Sequence, residues 1–319
     1  MLDIEPSIEK RKNLAGEILL ELKGHWTKEA KKEILKGNYD VLVIGMGYWE
    51  GFGFFREIST KIKNLYIDDQ PLEDDTEKYQ NLEGIAYLTE LEKIRIQSPS
   101  HYSLDFSAMS NLKICEISPW GKRYSNNLFL CPKLENLFIT HYTIKSFENI
   151  AKAKNLKSLV LRQSPIPDLN GIENLKKLEN LELYDVRKLN TIDGIQKLKK
   201  LRKIRIGCAP QLLSIAPLGK CEPLEDLNIS NLKRVEDYKA LASILTLSRL
   251  YIDVKELDSL KLLKSLPKLK TLVFANTNIL DGKIEILKEF PSLKEAYFRN
   301  KRHYNYSNDD VDEWIKNAI

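Results

Sequence analysis

The run Val41-Leu-Val-Ile44 leads into Gly45-Met-Gly47-Tyr-Trp-Glu50, and a strand followed by Gly-x-Gly is the pattern that cradles a nucleotide phosphate. That chemistry needs a third glycine where the turn enters a helix, and Glu50 stands there instead. Gly51-Phe-Gly53-Phe-Phe55 is also a poor helix start, so the simpler reading is an aromatic loop, Tyr48, Trp49, Phe52, Phe54 and Phe55, that packs over one end of a core. A second reading leaves these rings exposed as a sticky patch for a partner. His25, His101, His141 and His303 are widely spaced, without a second ligand three or four residues away, and no zinc site is expected. There is no Cys-x-x-Cys, no Gly-x-Ser-x-Gly and no phosphate loop, and His141 has no nucleophile placed beside it. The chain reads as a non-enzyme with no catalytic residue, cofactor, metal or small-molecule ligand.

The net charge of +5 is unevenly spread: Lys197, Lys199, Lys200, Arg202, Lys203 and Arg205 make a basic band, while Asp68, Asp69, Glu73, Asp74, Asp75 and Glu77 crowd one stretch. Nucleic-acid binding through residues 197–205 is therefore the alternative function. It calls for a contiguous basic stripe with stacking aromatics, whereas strand alternation puts Lys203 and Arg205 on a different surface from Lys199 and Lys200. The acidic stretch lacks the Asp-x-Asp-x-Asp-Gly spacing of a calcium loop and reads as an exposed insertion. The first residues have no basic start or apolar core of a signal peptide, and no run of 18 apolar residues occurs, so a cytoplasmic location without membrane contact is expected.

Any site in this chain must be positioned by a repeat. The pattern Leu-x-x-Leu-x-Leu occurs eleven times, with fourth positions at Leu65, Ile94, Cys115, Leu137, Leu159, Leu181, Ile204, Leu227, Leu250, Leu272 and Ala296. Successive steps of 21 to 24 residues follow a first step of 29. A degenerate twelfth copy, Tyr39-x-x-Leu42-x-Ile44, precedes them in register. The two-residue period of a strand turns the fourth and sixth positions inward and their odd neighbours outward. One repeat buries almost nothing alone. Stacked repeats pack each apolar side chain on its counterpart, at roughly 1.5 to 3 kcal/mol per fully buried residue. Cys115, Cys131 and Cys221 fall on inward positions and Cys208 beside a strand end, so disulfides are not expected.

Asn170-Gly171-Ile172 and Asp193-Gly194-Ile195 open the return segments with turn chemistry, and Pro267 and Pro291 close two of them. Leu161-x-x-Ser164-x-Ile166 and Phe274-x-x-Thr277-x-Ile279 then continue the frame of a leucine-rich repeat, with Ser164 and Thr277 at its Asn position and Val186, Ala209 and Leu232 there in the 23-residue units. In this frame the units resemble the short repeats of the bacterial internalin class over about residues 61 to 299. The expected fold is an α/β repeat solenoid, a leucine-rich repeat horseshoe or arc with a parallel concave sheet of about 12 strands and a helical or irregular convex side. Residues 1–60 are expected to form a helical N-terminal cap plus the degenerate strand, 61–299 the solenoid, and 300–319 a C-terminal helical cap. Leu14, Ile18 and Leu22 predict one cap helix over residues 8–22, Thr27 to Gly37 a second, and Ser307 to Asp310 starts the last.

Among the outward strand positions, Tyr66, Arg95, Phe138, Arg162, Tyr184, Arg205, Arg249, Tyr251 and Tyr297 are the expected partner-binding residues, because Tyr and Arg bury large area and still offer polar contacts. A row of mixed charges and aromatics suits a protein partner. The resemblance implies a bacterial protein-interaction module, with an intracellular scaffold, a regulator and a toxin-immunity protein as its cellular uses.

Overall fold

The computed structural model describes residues 5–47, 49, 51–68, 82–97, 103–121 and 123–318. Tyr48, Glu50, His101 and the acidic run from Asp69 to Glu77 lie outside the described residues. Two compact units divide the chain, Met1–Thr143 and Ile144–Ile319, a boundary that falls inside the expected 61–299 segment.

In the first unit the strands are β1 (Ser7–Lys12), β2 (Ile18–Gly24), β3 (Val41–Gly47), β4 (Asn64–Ile67), β5 (Lys93–Ile96), β6 (Ile114–Ile117) and β7 (Asn136–Thr140). From β2 to β7 each pairs in parallel with the next, in the register the repeat pattern requires: Leu42 opposite Leu65, Leu65 opposite Ile94, Cys115 opposite Leu137. The degenerate copy thus forms a true repeat strand, and Leu42 and Ile44 are fully buried.

The expected helix over residues 8–22 is instead a hairpin. β1 runs antiparallel to β2, and the Asn13 side chain accepts from the Ala15 and Glu17 N–H groups in the turn. Leu14 is fully exposed at the tip, while Leu20 and Leu22 point into the core. Ile18 and Leu22 satisfy a four-residue and a two-residue period alike, and the Asn13 to Gly16 turn decides between them. Glu9, Lys10, Arg11 and Lys12 line the edge strand with charge, which discourages further pairing. The second cap element is α1 (Lys28–Lys36), where Thr27 Oγ1 accepts from Ala30 N–H at 3.0 Å and Gly37 closes the last turn.

In the second unit β8 (Ser158–Arg162), β9 (Asn180–Tyr184), β10 (Lys203–Gly207), β11 (Asp226–Ser230), β12 (Arg249–Asp253), β14 (Thr271–Val273) and β16 (Glu295–Tyr297) are parallel in that order. β13 (Glu256–Leu257) and β15 (Asn278–Ile279) form a separate two-stranded parallel pair. The return segments hold short 3₁₀ turns such as Ile172–Asn174 and Ile195–Lys197. A five-residue strand inside so short a repeat leaves too little chain for an α-helix and two turns. α2 (Asn308–Ala318) closes the unit, capped where Asp310 and Ser307 exchange hydrogen bonds, with Val311 fully buried.

The missing Asn ladder has a backbone substitute. Gln163, Asp185, Cys208 and Asn231, each just past a strand, adopt the left-handed conformation with φ of 52 to 54°. This costs a non-glycine residue roughly 1 to 2 kcal/mol. In return each N–H reaches the carbonyl ending the next strand at 2.9 to 3.1 Å, and the following residue, Ser164, Val186, Ala209 or Leu232, turns inward. Beyond β12 the device changes: Thr277 Oγ1 donates to the Ile252 carbonyl at 2.9 Å and accepts from Val254 N–H at 3.0 Å. His141 repeats the left-handed turn in the first unit, where Trp120 and Tyr142 fill the inward position with rings 5.7 Å apart.

Candidate protein-binding face

Strand register sets the outward face of the second unit. Glu182, Arg205, Asn228, Tyr251, Val273 and Tyr297 stand side by side on successive strands, flanked by a row that contains Lys203, Asp226 and Arg249. Lys203 Nζ is 2.9 Å and Arg205 Nε 3.9 Å from Glu182 Oε1, and Arg249 Nη2 is 2.9 Å from Asp226 Oδ2. The two carboxylates are sunk, with side chains 13% and 15% exposed, while that of Arg249 is 65% exposed. Outermost charge is therefore positive, held over an acidic floor. Burial works against the Arg205 charge, but a hydrogen bond with the Tyr184 hydroxyl and the carboxylates of Glu182 and Asp226 outweigh it and raise its pKa.

Tyr251 and Tyr297 are among the exposed large side chains of the chain. Arg162 lies over the Tyr184 ring at 5.3 Å from its centroid. Arg205, Arg249 and Tyr251 border a shallow hollow of about 400 Å³, and Tyr184 joins them through Arg205. Those four expected residues form one neighbourhood.

In the first unit Arg95 is half-buried and 3.6 Å from Glu116, and Phe138 is half-buried on β7. Tyr66 departs from the expected exposed contact: it is buried at 9% exposure in a cluster with Leu19, Val41 and Val43. Those neighbours are apolar at outward positions, so the ring packs on them, with Lys93 Nζ 4.9 Å from its centroid.

An internalin (InlF) from Listeria monocytogenes str. 4b F2365 has a crystal structure that superposes with a TM-score of 0.67 at 17% identity, over 89% of this chain and 83% of that one. The chain has the leucine-rich repeat fold. A second internalin of that strain, InlC2, aligns over 68% of this chain and 75% of its own at 19% identity, with a TM-score of 0.41 that lends the fold no further support. No family model matches the sequence, and no curated protein does.

Other leucine-rich repeat positions with chemical potential are used for packing. Gly45 and Gly47 lie within β3, and among the described residues no α-helix stands between β3 and β4, so these glycines sit in the strand ladder rather than at the turn into a helix that a phosphate cradle needs. Trp49, Phe52 and Phe55 are buried rather than a sticky patch, and Trp49 Nε1 donates to the Gly45 carbonyl at 3.1 Å. His303 Nε2 is 2.9 Å from the Ile279 carbonyl, and His141 Nδ1 is 3.2 Å from Thr140 Oγ1. Cys115, Cys131 and Cys221 are buried, and desolvation lifts each thiol pKa, to about 11 for Cys131 and about 12 for Cys221. Cys208 is exposed because the left-handed turn faces it outward. Within the basic band, Lys197, Lys199 and Arg202 pair with Glu173, Glu222 and Glu225 of neighbouring repeats. The left-handed residues and the break in turn type at β12 escape sequence reading, although Thr277 in place of Val186, Ala209 and Leu232 is a visible trace of the second.

Proposed function

We propose that this chain is a protein-interaction module whose partner docks on the outward strand face of the second unit, around Tyr184, Arg205, Arg249 and Tyr251. The observation that carries this reading is the arrangement of exposed tyrosines and cations over sunk carboxylates. Such a surface offers large amphipathic area and charge-assisted donors at once, and it favours a partner region bearing Asp or Glu. Arg249, the exposed member of its pair with Asp226, presents its guanidinium to an arriving acidic side chain.

Nucleic acid is the poorer reading. The convex cations Lys197, Lys199 and Arg202 already face carboxylates, so the band offers no continuous positive stripe. Four free cysteines support a reducing compartment, in line with a cytoplasmic scaffold, regulator or immunity protein of a bacterium. No helix among the described residues is long and apolar enough to cross a membrane. Capture from source lysate with the wild-type chain and with the Tyr184→Ala/Tyr251→Ala variant tests the reading. A partner retained by the first and lost by the second supports it, and one retained equally by both rejects it.

A further inference from the structure

The change of turn type at β12 leaves a groove in the side of the second unit. Earlier repeats of this unit are laced together there: Asn190 N–H donates to the Pro167 carbonyl and Leu213 N–H to that of Asn190. Later ones are laced through β13 and β15, where Asn278 N–H reaches the Lys255 carbonyl and Leu280 N–H the Leu257 carbonyl at 2.9 Å. Between residues 232–239 and 254–259, no backbone hydrogen bond is present among the described residues. A cavity of about 1110 Å³ opens between those two segments.

Its floor is core that the rest of the unit keeps covered. Val186, Leu189 and Ile192, and likewise Ala209, Leu212 and Ile215, are 0 to 1% exposed, whereas the counterparts Leu232, Val235 and Tyr238 are 4 to 7% exposed. One wall is the free edge of β13. In a parallel ladder alternate residues bond to the same neighbour, and the Lys255 and Leu257 carbonyls are spent on β15, so the Glu256 N–H and C=O point into the groove. The rim is acidic: five carboxylates against three lysines line it, with Glu236, Glu256 and Asp258 exposed.

We propose that this groove is a second docking site, separate from the strand face, and that its occupant is an extended protein segment bearing Lys or Arg that adds as a third strand beside β13. Backbone bonds to Glu256 fix the segment, alternate apolar side chains rest on Val235, Tyr238 and Leu257, and its cations meet Glu236 and Asp258. The far edge of β15 is closed, with Ile279 N–H donating to the Tyr304 hydroxyl at 3.0 Å and the Ile279 carbonyl 2.9 Å from His303 Nε2, so β13 is the open edge of the pair.

A phage-displayed library of random linear dodecapeptides, selected on the full chain, tests this. The expected winners are rich in Lys and Arg with apolar residues at alternate positions. They should bind about tenfold or more weakly to Glu236→Lys/Glu256→Lys, equally well to Tyr184→Ala/Tyr251→Ala, and about tenfold more weakly once alternate backbone amides are N-methylated. The methylated peptides probe strand addition without altering the protein. Winners without basic bias, winners indifferent to the glutamate reversals, or winners indifferent to N-methylation would each overturn the proposal, as would failure of the selection to enrich any peptide.

Discussion

The ring of Tyr184 lies against the backbone of Gly207 on the next strand: a Cβ at 207 would stand 3.0 Å from Tyr184 Cδ1 and 3.0 Å from Ser230 Oγ. Glycine leaves room here for the close approach of the ring. Gly207→Ala is expected to cost roughly 1 to 3 kcal/mol of stability through overpacking, and less in a Tyr184→Ala background. Urea unfolding of the four-member cycle measures the coupling. An equal cost in both backgrounds would show that the ring is not what Gly207 accommodates.

Removing the outward tyrosines should act mainly on binding. Tyr184→Ala with Tyr251→Ala should keep the native melting transition, because neither side chain is in the core, yet weaken a captured partner by about 2 kcal/mol or more if both are hot spots. Charge reversal at Lys199 and Lys200 should change little. The opposite pattern in a titration would move the site to the basic band.

The thiols give a pH signature. Cys131 and Cys221 are raised from an ordinary 9.0 to about 11 and about 12 in the folded chain, so above pH 9 the unfolded chain sheds protons that the folded chain keeps. Their stabilising contribution is whole below about pH 9 and declines from there toward pH 11 to 12. Tyr238, raised from 10.0 to about 12 by burial, acts in the same direction at the upper end. Urea midpoints should fall on going from about pH 8 to 10, and fall less in Cys131→Ala/Cys221→Ala. Native labelling should be fast at Cys208 and slow at the three buried thiols.

Deleting residues 307–319 should uncover the last coil. The truncation removes Val311 from the core and Asn308, whose Oδ1 accepts from Phe298 N–H at 2.7 Å. It also strips Trp314 from Tyr306 and Lys288. A lower melting temperature and stronger binding of an apolar dye are expected. Unchanged values would show that α2 is no cap.

Thr277→Val keeps the shape and removes the hydroxyl that serves Val254 N–H and the Ile252 carbonyl. Leaving those buried groups unpaired should cost about 1 to 3 kcal/mol in thermal or urea unfolding, and Thr277→Ser should restore much of it. A neutral Thr277→Val would mean the turn beyond β12 is held by other contacts.

The strand ladder was legible because the inward positions repeat at a fixed step with no charge among them, and the outward row followed from alternation alone. Where two periods coincide, as at Ile18 and Leu22, the pattern cannot choose, and the Asn13 turn was the missing evidence. Alternation alone does not reveal the burial of Tyr66, because cover on the outward face depends on Leu19, Val41 and Val43 from other strands. The groove beside β13 was hidden for a different reason: it arises where one means of turning the chain gives way to another, and Asn231, a left-handed residue that is not glycine, carries little trace of this in its identity.

Gln163, Asp185, Cys208 and Asn231 share one backbone conformation while differing in size, charge and chemistry. In all four the turn is held by the carbonyl that the N–H reaches on the adjacent strand, whatever side chain stands beside it. Residue identity at these places is thereby only loosely tied to the shape of the chain, β-branched side chains being the ones the left-handed turn disfavours. A file of positions beside the strand ends can be rewritten one codon at a time, so specificity can drift or be engineered there without rebuilding the scaffold.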